Sequence, residues 1–479
     1  MQLAAGYVRV KVEDEIFTVE KRMLIEGSEY FRALFESGMR ECSQEEIGLQ
    51  QLPASGFTVT MRVLMGERPI LDSDEITDAI ECAAFLQVKP LTEHLIHIIS
   101  SKNCIVMFQT AAVYGLFDLL HVSALFIRDV YSNVREDLSF LPEDQLDYIE
   151  SLSPSTFVAV ATHSPSAQYL DDRSRTICYL DEAENSWRTL TSLPVKASTS
   201  LAGIAVVDNN IYIVGGVDGL SKQIVKLNFC YNTERNSWSE FPSLQHLRHN
   251  LTLTGQGGCL YAIGGMYKNM VLATVEKYHV ASNTWSFAAH LPRPGEGIAC
   301  TQAMGRIFVC LWFPMDTTDI YEYKTQRDEW LLVTTLKRQQ SYGHCMVAHM
   351  DNLYVIRNGP ADDFLRCFID CFNLTRQQWM SLSGYYFNSK GALFTATIRG
   401  DKVFTVNRML TLIYDIQKDK WKPAKEGAGF PRSGSMHTFL LRLPKHSVSL
   451  TRHVARIFYG HGSGRHWQEQ SLLLIPNYH

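Results

Sequence analysis

No run of about eighteen uninterrupted apolar residues, the length a membrane-crossing helix needs, occurs anywhere in this 479-residue chain. Met1 to Val10 carries no apolar stretch long enough for a secretory signal, so a cytoplasmic protein is expected. Charge of one sign is missing too. Lys and Arg number 45 against 50 Asp and Glu, and a net charge of -5 gives no reason to expect nucleic acid or an anionic membrane surface as a partner. The eleven cysteines include no C-x-x-C, and the nearest pair, Cys367 and Cys371, lacks the second pair that a zinc site requires. They read as reduced thiols, mostly small core residues. A Walker loop, H-E-x-x-H and G-x-S-x-G are all absent, so no catalytic residue, metal or cofactor is expected. What remains is an ordinary globular composition, 46% hydrophobic and 20% charged, with protein binding as the first expectation.

The chain changes character near residue 155. Before it, one alternating stretch, Tyr7-Val8-Arg9-Val10-Lys11-Val12 followed by Glu15-Ile16-Phe17-Thr18-Val19, reads as a β-hairpin. Helical spacing follows, with Tyr30, Phe31, Leu34 and Phe35 on one face, then Ile76, Ile80, Ala83 and Ala84 on another. A second helical group opens at Asn103, a candidate N-cap, with Ile105, Phe108 and Ala112 on one face. Leu119, Leu120 and Phe126 continue it, and Pro142 opens Glu143–Ile149. Beyond Ser153-Pro154, short β-runs separated by Gly, Asn, Asp and Ser take over.

Six of the eight tryptophans, Trp187, Trp238, Trp285, Trp330, Trp379 and Trp421, are spaced by 51, 47, 45, 49 and 42 residues. Tyr231, Tyr278, Tyr323, Phe372 and Tyr414 each lie seven residues ahead of their tryptophan, and Tyr179 lies eight ahead of Trp187. Each pair follows a β-run such as Ile211-Tyr212-Ile213-Val214, and two of these runs end in Gly215-Gly216 and Gly264-Gly265. A period in this range with several strands per unit marks the blades of a β-propeller. A blade has two apolar faces and must stack between neighbours, and one large aromatic per blade fills the wedge. The Phe157 run has no strand ahead of it, while Ser435–Leu441 is a strand left over after Trp421. That strand is expected to pair into the first blade and close the ring without an open edge. The Ser-x-Asp-x-Gly-x-x-Trp boxes of a catalytic propeller are absent.

On these residues the chain resembles a known family. The aromatic–x6–Trp ladder with its surviving Gly-Gly pairs is similar to kelch repeats. Phe17-Thr18-Val19-Glu20-Lys21 through Ser28–Phe35 resembles the core of a BTB domain, and Asn103 to Leu152 resembles the first helices of a BACK domain. Together these cover about residues 7–443, and the chain is identified as a member of the BTB–BACK–kelch family. The fold expected is therefore multidomain, α+β and then all-β. A BTB (α/β) domain spans 1–100, shortened BACK helices 101–153 and a six-bladed kelch β-propeller 154–443 closed by strand 435–443, with a poorly ordered tail at 444–479.

The resemblance implies a non-catalytic adaptor of a ubiquitin ligase, in which the BTB and BACK helices dock cullin-3 and the propeller selects the protein to be ubiquitinated. Family members dock through a hydrophobic–x–Glu motif, which Met39-Arg40-Glu41 matches directly after the helix containing Phe35. Met39, Glu41 and Phe35 are thus the expected cullin contacts. The usual helix ahead of the first BTB strand finds no room before Tyr7, so the resemblance does not extend to homodimerisation. The alternative it leaves open is a cytoskeletal scaffold for actin or thin filaments in muscle. Propellers bind through loops at one end of the ring, and the loops leading into successive inner strands carry Arg248, Arg293, Arg338 and Arg432, with Tyr342 beside one of them. A ring of arginines suits an acidic segment of a protein substrate; the other reading is an arginine recurring in each repeat and braced against its own blade.

Overall fold

The opening alternation folds as the strands Tyr7–Val12 and Glu15–Glu20, antiparallel, with Val8, Val10 and Val12 fully buried and Tyr7 and Lys11 exposed. A third strand, Glu46–Leu49, joins parallel to the first; its four residues are too short to show a period in the sequence. This computed structural model describes residues 6–37, 45–161, 175–218, 221, 223–313, 317–337, 345–359, 366–380, 382, 386–387, 394–407, 411–424, 427–429 and 436–444. The chain divides into a first unit that runs to Pro154 and a second from Ser155 to Leu443.

Nine helices are described in the first unit: α1 Lys21–Gly27, α2 Glu29–Glu36, α3 Ala54–Leu64, α4 Ser73–Leu86, α5 Lys89–His97, α6 Cys104–Tyr114, α7 Phe117–Asp129, α8 Tyr131–Leu138 and α9 Glu143–Ser151. Asp72 starts α4 with a capping box, its carboxylate accepting from the Asp74 and Glu75 N–H groups while the Glu75 carboxylate accepts from the Asp72 N–H. Ser28 caps α2 by accepting from Phe31 N–H and donates its hydroxyl to the Leu86 carbonyl at 2.5 Å, tying α2 to the end of α4. Asn103 corrects the sequence expectation: it precedes α6 but does not cap it, its amide accepting from Ser100 N–H and donating to the Ile98 carbonyl. The buried face of α6 is likewise Cys104, Met107, Phe108 and Ala111, one residue out of phase with the expected set.

The second unit holds six antiparallel blade sheets, each with four strands running outward from an innermost one, and the fifth blade adds a short strand, Tyr386–Phe387, paired to its third. From inside outward, blade two is Gly203–Val207, Asn210–Val214, Asn228–Asn232 and Ser237–Phe241, and blade three is Thr252–Gln256, Cys259–Ile263, Val275–His279 and Thr284–Ala288. Blades four, five and six follow, with innermost strands Ala299–Ala303, Cys345–His349 and Phe394–Arg399. Blade one is composite, the late strand Met436–Arg442 lying innermost against Ser155–Ala161, followed by Thr176–Asp181 and Ser186–Ser192. The six innermost strands neighbour one another all the way round, so the sheets form a closed propeller.

Apolar clusters fill the wedges between successive blades, such as Val158, Ile177, Ile204, Ile213 and Tyr231 between one and two. At the seam between six and one, Phe157 and Phe404 lie 4.6 Å apart with the Arg399 guanidinium over both rings. Five tryptophans sit directly across from the aromatic seven residues earlier, at ring separations of 5.0 to 5.2 Å. Trp187 faces Leu180, also seven residues earlier, so blade one keeps the same hairpin register with Leu180 in the aromatic's place; Tyr179 pairs with Arg188, and that is the physical meaning of the eight-residue spacing. Four of the six indole N–H groups reach back to the preceding blade: Trp238 to Thr191, Trp285 to Pro242, Trp330 to Ala289 and Trp379 to Thr334. The ladder is therefore a set of inter-blade fasteners as well as wedge filling.

Candidate functional site

In the first unit, α2 buries Phe31 and leaves Tyr30 and Phe35 partly exposed. Phe31 stacks on Phe35 at 6.1 Å and meets Tyr30 edge-on at 5.3 Å; Tyr30 in turn lies 5.4 Å from Phe85 at the end of α4. Phe85 is 50% exposed, and the Lys21 ammonium sits over the Phe35 ring. The result is an aromatic surface, Phe35–Tyr30–Phe85, held rigid by the Ser28 link between the two helices. Sequence reasoning found Phe35 but missed Phe85, which precedes Leu86 on a helix whose other apolar residues are core. Met39 and Glu41 lie outside the described residues.

In the propeller, two of the four expected arginines are described, and both are braced against their own blades. Arg248 corrects the expectation of a partner-facing side chain. It is fully buried, 0% exposed, and its guanidinium donates to Glu276 Oε1 at 2.5 Å, to the carbonyls of Gly264 and Thr274 at 3.0 and 2.7 Å, and to that of His246 at 3.1 Å. Glu276, also 0% exposed, accepts in addition from the N–H groups of Gln245 and His246. Burial pulls the Arg248 pKa down and the Glu276 carboxylate works against that pull, so the pair compensates the cost of a buried charge. Arg293 occupies the same place in blade four, 27% exposed and 3.2 Å from Asp319. Arg338, Tyr342 and Arg432 lie outside the described residues.

What these braces hold is the mouth of the ring. The loops leading into blades two, three and four each place a left-handed residue two positions before the inner strand: Leu201, Asn250 and Gly297, with φ of 53°, 51° and 56°. They are chained by backbone hydrogen bonds, Asn250 N–H to the Leu201 carbonyl at 2.6 Å and Gly297 N–H to the Asn250 carbonyl at 2.8 Å. The Gly-Gly pairs lie where these loops cross the ends of the second strands. A Cβ on Gly215 or Gly264 would fall inside 3.0 Å of the Arg248 or Gly295 carbonyl oxygen, and φ is positive at all four glycines. In blade three the connection after Gly265 rises as a separate hairpin, Met266–Tyr267 paired with Met270–Val271. It exposes Met270 by 62% and Val271 by 39%. No residue of this hairpin stood out in the sequence, because its pairs are too short for a period.

A three-stranded sheet with helices, followed by a closed ring of six antiparallel blades, two of them with Gly-Gly crossings, defines a BTB protein with a kelch propeller. Family comparison agrees: the BTB/POZ domain matches residues 8–103, and the Kelch motif matches residues 198–245 and 247–292. The chain belongs to the BTB–kelch family. It is 52% identical to "Kelch repeat and BTB domain-containing protein 13" of Homo sapiens over 91% of this chain and 95% of that protein, and 53% identical to the Mus musculus protein of the same name over the same shares. "Kelch-like protein 42" of Homo sapiens is 26% identical over 89% of this chain and 96% of its own length. No helix among the described residues is long and apolar enough to cross a membrane.

Proposed function

We propose that this protein is the substrate-selecting adaptor of a cullin-3 ubiquitin ligase, a cytoplasmic, non-catalytic subunit whose first unit docks cullin-3 and whose propeller mouth holds the protein to be modified. The observation that carries this reading is the aromatic surface of Phe35, Tyr30 and Phe85, immediately followed in sequence by Met39-Arg40-Glu41. Partly exposed aromatics on a rigid support are the usual anchors of a protein interface, and an adjacent carboxylate fixes register through charged hydrogen bonds. The propeller supports the other half of the role, because the lead-in loops of blades two, three and four are chained to one another by backbone hydrogen bonds into a fixed platform.

Co-purification with cullin-3 tests it. Capture by the full chain is expected to fall at least about tenfold in the Met39→Ala, Glu41→Ala and Phe85→Ala variants, while substitutions at the propeller mouth leave it unchanged. Capture of cullin-3 that ignores all three positions, or binding to actin filaments with no cullin-3 capture at all, overturns the adaptor in favour of a scaffold.

A further inference from the structure

The hairpin of blade three is built more firmly than a surface connection of its length requires. The carbonyls of both its feet, Gly264 and Thr274, accept from one buried group, the Arg248 guanidinium, and Gly264 N–H donates to the Thr274 carbonyl across the base at 3.1 Å. His249 and Met266 exchange a pair of backbone hydrogen bonds at 3.0 and 2.7 Å, fixing the hairpin to the lead-in loop. Leu272 N–H bonds the Gly265 carbonyl, and Gly295 N–H bonds that of Leu272. The tip is a two-residue turn in which Lys268 and Asn269 take φ of 48° and 65°, the combination that matches the twist of paired strands. Among the described residues the corresponding connection of blade two forms an isolated bridge between Val217 and Ile224 in place of a paired hairpin, with Val217 N–H on the Ser200 carbonyl and Val225 N–H on that of Gly216.

This rigid element presents apolar surface to solvent at the mouth of the ring. Met270 and Val271 are both exposed and take no part in any blade core. Between Gly264 and Thr274 the sequence holds a single charged residue, Lys268, and no acid. A pre-ordered apolar tip loses little freedom on association, and its one ammonium sets the sign of what approaches. Resting on the adaptor reading above, we propose that the Tyr267–Val271 hairpin is a partner-reading element that docks an extended protein segment carrying an aliphatic or aromatic side chain next to a carboxylate. Arg248 acts through it as a positioning residue.

The test pans the full-length protein against a displayed library of random peptides and then measures the selected peptides by fluorescence anisotropy on three surface variants. Selected sequences are expected to set Leu, Ile or Phe beside Asp or Glu. Met270→Glu and Val271→Glu are each expected to weaken binding at least about tenfold with an unchanged melting transition. Lys268→Glu is expected to weaken it about fivefold and, on renewed panning, to select Lys or Arg in place of the acid. Selection of no peptide, or of peptides indifferent to all three substitutions, overturns the inference. Cullin-3 capture by the same preparations separates the two readings: retained capture without peptide selection sinks the hairpin alone, and lost capture sinks the adaptor whatever the peptides do.

Discussion

Replacing Glu276 by Gln removes one charge from the Arg248–Glu276 pair and almost nothing else. The new amide oxygen can still accept from a neighbouring N–H, and the volume is unchanged, so the cost comes from leaving a guanidinium with 0% exposure without its counter-charge. Breaking a buried pair by removing one partner costs about 3–5 kcal/mol. For a unit the size of this propeller each kcal/mol moves the midpoint by about 2–4 °C, so a fall of at least about 6 °C is expected. The chain supplies its own probe: none of the eight tryptophans precedes Ser155 and seven of them lie between Ser155 and Leu443, so intrinsic fluorescence during a urea or thermal titration reports chiefly the propeller. Arg248→Met should cost at least as much, since it also strands the Gly264 and Thr274 carbonyls, and the double variant should cost clearly less than the sum. A loss below about 1 kcal/mol for Glu276→Gln, or strict additivity in the double variant, refutes the claim that the pair holds the mouth together.

Two further tests address other parts of the molecule. Asn209 holds the closing strand with its amide, donating to the Arg442 carbonyl at 2.7 Å and accepting from Arg442 N–H at 2.8 Å; Asn209→Gly should therefore lower propeller stability by about 1–3 kcal/mol, read by tryptophan fluorescence, and an unmoved midpoint would contradict it. In the first unit His94 is buried, its Nε2–H donated to the Pro69 carbonyl, and burial pushes its pKa down to about 4 from 6.5. The unfolded chain takes the proton first on acidification, so stability is complete above about pH 6.5 and falls by about 3 kcal/mol as pH drops to about 4. His94→Gln keeps the hydrogen bond without the titration, and a helical circular-dichroism melt that loses as much stability over that pH window in the variant as in the parent would rule the assignment out.

The tryptophan ladder was legible because it is a repeat: the wedge between any two blades makes the same demand, so the same residues return at the same interval. Even the exception at Tyr179 and Trp187 was visible as a spacing of eight, because the position across from Trp187 is held by Leu180 rather than by an aromatic. Arg248 was legible as a recurring position but not as a buried one. Its partner Glu276 lies 28 residues away on another strand, and polarity alone reads an arginine as a loop side chain until that pairing is known. Asn103 was misjudged for a related reason, since a short polar side chain ahead of a helix can turn back to the preceding loop as readily as forward to the N–H groups. Phe85 and the Met270 hairpin carried no signal at all, being exceptions to a pattern rather than instances of one.

Blade one has a consequence for how the molecule is made. Its outer strands leave the ribosome first and its innermost strand, Met436–Arg442, last of all. Until that strand emerges the blades form an open arc whose ends leave apolar faces uncovered and whose Ser155–Ala161 edge is unpaired, so the nascent protein spends its synthesis in the state most prone to association with other chains. A stop codon anywhere ahead of Met436 would release that arc permanently, and the loss of a few terminal strand residues would carry the penalty of losing the whole ring.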